Sequence, residues 1–94
     1  MNLSATTRIR VPSDVLLQEL QGETVLLNLN GGRYFGLDEV GTRMWQTLTS
    51  SPSIEDAYEI LLAEYDVDAD RLRQDLHGLI EKLVGHGLLE LHTS

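Results

Sequence analysis

The fold is constrained most by two short runs of strand-like residues that an Asn-Gly pair joins. Apolar residues at helical spacing follow these runs at once. Thr24–Leu29 alternates between two faces, as a half-buried strand does. Asn30-Gly31 is a strong hairpin signal, because both central positions of a type I′ turn need positive φ. Arg33–Leu37 returns as another strand. With Val15–Leu20 placed before them, the sequence predicts a three-stranded antiparallel meander.

Three helices are predicted after these strands, each with its own start signal. Asp38 can cap the first helix, and Ser53 can cap the second with Asp56 three residues on. The third helix is predicted from about Asp68, with Gly87 as the residue that ends it. The pattern predicts an α+β, winged-helix-like fold, in which a three-stranded antiparallel sheet precedes three helices.

The length of 94 residues suits one domain, which we place at residues 11–94 behind a flexible N-terminal arm at 1–10. The chain has no cysteine, which excludes disulfides, thiolate metal sites and cysteine nucleophiles. No apolar run is long enough to span a membrane, and the polar N-terminus does not resemble a signal peptide. The expected location is therefore cytoplasmic, without a membrane partner.

No pattern in the sequence indicates catalysis or a cofactor. The three histidines lack metal-ligand spacing, and the Asp66–Asp70 segment lacks the glycine and glutamate of a calcium loop. Asn30-Gly31-Gly32 is not followed by the residues of a phosphate-binding loop, and no nucleophile elbow surrounds the serines. We expect a protein that is not an enzyme and holds no metal or cofactor.

Charge argues against nucleic acid as a partner. The net charge is −8, which repels phosphate backbones and anionic lipid. A DNA-binding winged helix would need a basic stripe, whereas the charges of the third predicted helix nearly balance. A winged-helix DNA-binding protein is therefore the alternative from another functional class. A small enzyme and a homodimer that pairs through a strand edge are further alternatives, and a monomer is the expected state.

The third strand of the meander is predicted to be an edge with free N–H and C=O groups. Such an edge can capture a peptide as an added strand. Gly36 has no side chain, which often marks close approach by another backbone. A close backbone approach is also predicted at Gly78, inside the third helix. These features favour a peptide-binding protein.

Most of the chain, from Val11 to Leu91, resembles the PqqD-like family of peptide recognition elements. The resemblance rests on an ordered set of short motifs: Leu26-Leu27-Asn28-Leu29, Gly32-Arg33-Tyr34-Phe35-Gly36-Leu37-Asp38, Val40-Gly41, Met44-Trp45, Tyr65-Asp66-Val67-Asp68, Asp75, Leu79-Ile80, Leu83 and Gly87-Leu88-Leu89. The sequence of Gly32–Asp38 makes the chain most similar to the discrete recognition proteins of lasso-peptide pathways.

This resemblance implies a non-catalytic adaptor for the leader segment of a ribosomally made precursor peptide. The leader would add as a strand to Arg33–Leu37 beside the third helix and be presented to a leader peptidase, with a cyclase as a further partner. A family alternative is delivery of the precursor to a radical SAM enzyme. The implied peptide-binding residues are Arg33, Tyr34, Phe35, Gly36, Leu37, Leu72, Asp75, Leu79 and Lys82.

Overall fold

The structure, a computed structural model, describes residues 7–92. Its strands are β1 Arg8–Arg10, β2 Val15–Leu20, β3 Glu23–Asn28, β4 Arg33–Leu37 and β5 Glu90–His92. Its helices are α1 Glu39–Ser50, α2 Ile54–Glu64 and α3 Ala69–Gly85. Within this described range, no helix has the length and apolar character needed to cross a membrane.

The main sheet has the strand order β2-β3-β4, and both neighbouring pairs are antiparallel. Val15 lies opposite Asn28 in the first pair, and Thr24 lies opposite Leu37 in the second. The three helices follow this sheet in the chain. The predicted α+β fold, a three-stranded antiparallel sheet followed by three helices, is confirmed.

The hairpin turn between β3 and β4 differs from the prediction. The predicted type I′ turn at Asn30-Gly31 is wrong, because the positive φ in this connection belongs to Gly32. The Gly32 N–H donates to the Asn28 carbonyl at 2.8 Å, and the Asn28 side-chain oxygen accepts from the Asn30 N–H at 3.0 Å. The side chain of Asn28 thus organises a longer turn.

The β2–β3 hairpin has the backbone geometry that was predicted for the other turn. Gln21 and Gly22 both have positive φ, at 52° and 84°. Leu20 pairs directly with Glu23, so the connection has two residues. A right-handed strand twist favours such a type I′ turn.

The two predicted helix caps, Asp38 and Ser53, are confirmed, and Asp68 caps the third helix at its predicted start. The side chain of Asp38 accepts a hydrogen bond from the Gly41 N–H at 2.8 Å. Ser53 accepts from the Asp56 N–H at 3.2 Å, and Asp68 accepts from the Arg71 N–H at 3.1 Å. Each cap satisfies one of the N–H groups that a helix leaves unpaired at its start.

The inner face of the main sheet packs on the helices. Leu26 and Leu37 point inward from the sheet and join Trp45 of α1 and Leu83 of α3 in one buried cluster. A second cluster lies among the three helices around Leu76. The apolar residues at 88–89, which follow α3, are buried in the first cluster. This packing fixes α3 beside the sheet.

Part of the predicted N-terminal arm forms the strand Arg8–Arg10. Arg8–Arg10 pairs antiparallel with Glu90–His92, and Arg10 lies 3.6 Å from Glu90 in an ion pair. Thr7 is buried, and its carbonyl accepts from the Ile54 N–H at 3.0 Å. Long-range strand pairing between the ends of the chain has no local sequence signal. Residues 1–6 of the arm lie outside the described residues.

The contact between α2 and α3 predicts a pH dependence of stability. Arg73 binds the Glu55 carboxylate through two hydrogen bonds, of 3.0 and 3.2 Å, and lies 4.0 Å above the centre of the Tyr58 ring. Hydrogen bonding from Arg73 lowers the pKa of Glu55, although partial desolvation opposes the shift. A carboxylate with a lowered pKa stabilises the fold above its unfolded pKa of about 4.3. That contribution is lost as the pH falls through the lower folded value.

Glu55→Gln is therefore expected to reduce the free energy of unfolding by about 0.5–1 kcal/mol at pH 7, since the pair is partly exposed. The difference from the wild type should shrink as the pH falls below about 4.3 and continue to do so toward the lowered folded pKa. Urea unfolding at several pH values would measure both effects. Glu59→Gln, at an exposed position of the same helix, is the matched control. A difference independent of pH would contradict the role of this carboxylate.

Candidate functional site

The edge strand β4 faces a groove whose other wall is α3. Among the described residues, β4 pairs with β3 alone, so its second edge has no strand beside it. The groove encloses about 440 Å³. Its strand side is formed by Phe35, Gly36, Leu37, Asp38 and Gly41, and its helix side by Gln74, Asp75, Gly78, Leu79 and Lys82. We call this site the β4–α3 groove.

The helical repeat of α3 explains its side of the groove. Residues three and four apart lie on one face of a helix, so Gln74, Gly78 and Lys82 form a row. Leu76 and Ile80 belong to the opposite, fully buried face. Burial of that face holds α3 against the core and leaves the row directed toward β4.

Six of the nine predicted binding residues meet in the groove. They are Phe35, Gly36, Leu37, Asp75, Leu79 and Lys82. These residues come from two segments far apart in the sequence. The fold therefore joins them in one concave surface, although their binding to a peptide stays a prediction.

Three predicted residues lie elsewhere. Leu72 is only 4% exposed and packs in the helical core, so it is not a groove wall. Tyr34 points to the opposite side of the sheet from Phe35 and is 74% exposed. Arg33 is exposed at the turn end of β4 and is absent from the groove lining. Successive side chains of a strand point to opposite faces of the sheet, so Tyr34 cannot lie on the same side as Phe35.

Four lining residues were not predicted: Asp38, Gly41, Gln74 and Gly78. The four-residue spacing 74–78–82 would have found two of them. At Gly78, the expected close backbone approach is wrong, since a Cβ there would meet no atom of a neighbouring element within 4 Å. A Cβ at Gly36 would also point into open space. The missing side chain of Gly78 keeps the groove wide, whereas a Cβ at Gly36 would lie on the outer face of the sheet.

The charges in the groove have both signs. Asp75 accepts hydrogen bonds of 3.3 Å from the guanidinium of Arg71, one turn earlier on α3. Lys82 lies two turns further along the same helix. Asp38 is held by its cap to Gly41. The groove therefore offers an acidic position and a basic position on opposite sides of Gly78.

A smaller cavity of about 130 Å³ adjoins the groove at Asp75. It is mostly apolar and lies between α1, the α2–α3 loop and α3, where it is lined by Val40, Met44, Tyr65, Val67, Arg71, Leu72 and Asp75. Leu72 reaches this cavity rather than the groove. The groove and this apolar recess thus share the Asp75 side chain.

Asn28 fixes the end of the groove near the hairpin turn. Its side-chain amide donates to the carbonyls of His86 and Gly87, at 3.4 and 3.2 Å, while its oxygen accepts from the turn. The rings of Phe35 and His86 meet edge to face with centres 5.2 Å apart. These contacts join the β3–β4 hairpin to the end of α3 and set the spacing between the groove walls.

Comparison with known proteins identifies relatives of the same shape. The sequence profile of the family described as coenzyme PQQ synthesis protein D (PqqD) matches residues 23–89, more than half of the chain. TbiB1, solved in complex with the TbiA(beta) leader peptide, is 36% identical to this chain, with a TM-score of 0.80, and the match covers 86% of this chain and 94% of that one.

A second solved structure, of lasso peptide synthetase B1 complexed with the leader peptide, has a TM-score of 0.78. It is 23% identical, and the match covers 88% of this chain and 98% of that one. At this identity, the likeness shows the fold. No curated protein matches the chain significantly.

Proposed function

Since this chain belongs to the PqqD family, we propose that it is a non-catalytic adaptor that binds the leader segment of a precursor peptide and presents it to a processing enzyme. The observation that carries the proposal is the open edge of β4 beside the β4–α3 groove. The leader adds to β4 as a fourth strand, and its alternate side chains enter the groove. The likeness to TbiB1, a protein in complex with a leader peptide, supports this proposal.

Backbone pairing gives the leader its orientation but little selectivity. A five-residue edge can form about four hydrogen bonds, each contributing about 0.5–1.5 kcal/mol net. Every sequence without proline offers the same N–H and C=O groups. Selection among peptides must therefore come from side chains in the groove.

Apolar anchors supply the larger part of the binding free energy. A leader side chain fully buried against Phe35 and Leu79 adds about 1.5–3 kcal/mol. Association and ordering of the peptide cost about 4–15 kcal/mol, so two or three anchors are required. We expect a dissociation constant between low micromolar and nanomolar, which corresponds to about −8 to −12 kcal/mol.

The charged lining residues adjust the choice of leader. Lys82 suits a leader carboxylate, and Asp75 suits a basic or hydroxyl side chain at the other end of the groove. Exposed ion pairs contribute about 0–1 kcal/mol. These contacts therefore determine the register of the leader along β4 more than they add to its binding free energy.

We place the adaptor in lasso-peptide synthesis, with a leader peptidase as the enzyme served and a cyclase as a further partner. The similarity of Gly32–Asp38 to lasso-pathway recognition proteins and the 36% identity to TbiB1 support this placement. Genes beside this one provide a direct check: a radical SAM enzyme in place of a peptidase would assign the adaptor to the alternative pathway.

Fluorescence anisotropy would test strand addition. The probes are the labelled leader of the precursor encoded beside this chain and, as a second peptide, the TbiA(beta) leader. Strand addition needs peptide N–H groups on one edge only. Methylating alternate leader nitrogens that face β4 is expected to weaken binding at least tenfold, whereas methylating the intervening nitrogens should change it less than threefold. Equal effects of both sets, or no binding of either leader at 100 µM (about −5.5 kcal/mol), would overturn the proposal.

A further inference from the structure

The main sheet has an outer face that no described element covers. Register places two rows of side chains across it, Leu16 beside Leu27 and Tyr34, and Gln18 beside Val25 and Gly36. Leu16 is 54% exposed and Val25 is 44% exposed. A depression of about 290 Å³ lies among the residues of β2 and β3 on this face. Large apolar side chains here contact water.

This outer face is nearly free of charge. Its eight strand positions are Leu16, Gln18, Leu20, Glu23, Val25, Leu27, Tyr34 and Gly36, of which only Glu23 has an acidic or basic side chain. The complete chain carries 15 acidic and 7 basic residues. An uncharged apolar surface in such an acidic protein marks a surface for a macromolecule rather than a solvated one.

The size of the face argues against a stable homodimer. Five residues at about 3.3 Å and three strands at about 4.8 Å give roughly 240 Å². Twice that area, to allow for the relief of the side chains, is still below the roughly 800 Å² per partner of a standard stable interface. The face alone is thus too small to hold a second copy firmly.

A leader strand on β4 would enlarge this same face. An added strand lies about 4.8 Å from β4, and its alternate side chains point outward beside Tyr34 and Gly36. A Cβ at Gly36 would meet no atom within 4 Å, so the surface is open at that border. The loaded adaptor would present one continuous surface, made partly by protein and partly by leader.

We propose that this outer sheet face, completed by the outward side chains of the bound leader, is the docking surface for the enzyme that processes the precursor. The inference rests on the proposed function, and it identifies the surface through which the adaptor presents the leader to the enzyme. The enzyme has a complementary apolar, weakly charged patch, and it contacts adaptor and leader together. Its affinity for the loaded adaptor exceeds that for either part, and by linkage it raises leader affinity by the same factor.

Lysine substitutions on the outer face of β2 and β3 separate docking from leader binding. Leu16 lies two strands away from β4, and Val25 points to the opposite side of the sheet from Phe35, so changes there leave the leader site intact. The variant Leu16→Lys with Val25→Lys is expected to lower kcat/KM for cleavage by the leader peptidase encoded with the precursor about tenfold. Its leader affinity should stay within threefold. Ile60→Lys, at a 47% exposed position of α2, is the matched control with unchanged cleavage.

A binding measurement provides the second arm. An inactivated form of the same peptidase is expected to tighten leader binding to the wild-type adaptor severalfold and to leave binding to the lysine variant unchanged. If the lysine variant does not fold, Leu16→Thr with Val25→Thr keeps side chains suited to a strand and replaces it in both assays.

Wild-type cleavage by a folded, leader-binding variant would overturn the inference while the proposed function stands. A leader-free wild-type dimer in analytical ultracentrifugation that the lysine variant dissociates would assign the face to a second copy and overturn it too. Failure of the wild-type chain to bind leader would overturn the proposed function first.

Discussion

Gly78→Leu is expected to reduce leader affinity at least tenfold without loss of the fold. Gly78 is the middle residue of the row that Gln74, Gly78 and Lys82 form on α3, and it lines the groove. A leucine there meets no atom of a neighbouring element at its Cβ, so it extends into space that the leader side chains need. Leucine also has a helix propensity close to that of alanine, about 0.8–1 kcal/mol better than glycine. The melting temperature should therefore rise.

Gly85→Leu is the matched control for this change. Gly85 lies on the same helix, is exposed, has open space at its Cβ and does not line the groove. Anisotropy with the labelled leader and thermal unfolding would be measured on both variants. Unchanged leader affinity in folded Gly78→Leu would show that the peptide does not occupy the groove.

Gly87→Ala is expected to lower the free energy of unfolding by about 2–4 kcal/mol. Gly87 has φ of +72°, a conformation that costs an L-residue about 1–2 kcal/mol. A Cβ would lie 2.5 Å from the side-chain nitrogen of Asn28, which would have to move and give up its hydrogen bonds to the end of α3. Each lost bond removes about 0.5–1.5 kcal/mol.

A double-mutant cycle identifies the steric part of this loss. Asn28→Ala removes the group that clashes, so the double variant should be about 1 kcal/mol more stable than the sum of the single effects predicts. Urea unfolding of the four proteins would measure the coupling, and Gly85→Ala, at the last residue of α3, serves as a glycine control. Strict additivity, or a change below 0.5 kcal/mol for Gly87→Ala, would refute the proposed contact.

Local signals in the sequence predicted much of the fold. Asp38, Ser53 and Asp68 cap the three helices through side-chain bonds to N–H groups three residues away, so residue type and position suffice. The apolar spacing of α3 is likewise visible in the sequence, and its buried face contains Leu76 and Ile80. Such features depend on neighbours within one helical turn, and a sequence displays those neighbours directly.

Long-range geometry set the limits of prediction. The pairing of β1 with β5 joins the two ends of the chain and has no local signature. The turn after β3 depends on the Asn28 side chain, which also binds the end of α3. The exclusion of Leu72 from the groove depends on how α3 is rotated against the core. Strand and helix were each predictable, but their relative placement decided the site.

Because Arg8 lies opposite His92, the described chain returns almost to its starting point. Closing the backbone into a ring with a short linker would therefore add little strain, and it would restrict the denatured ensemble. A circular permutant opened at the exposed Asp66–Val67 loop should then keep both sheets. The new termini at this loop would allow the protein to be attached to a surface at a site away from β1 and β5.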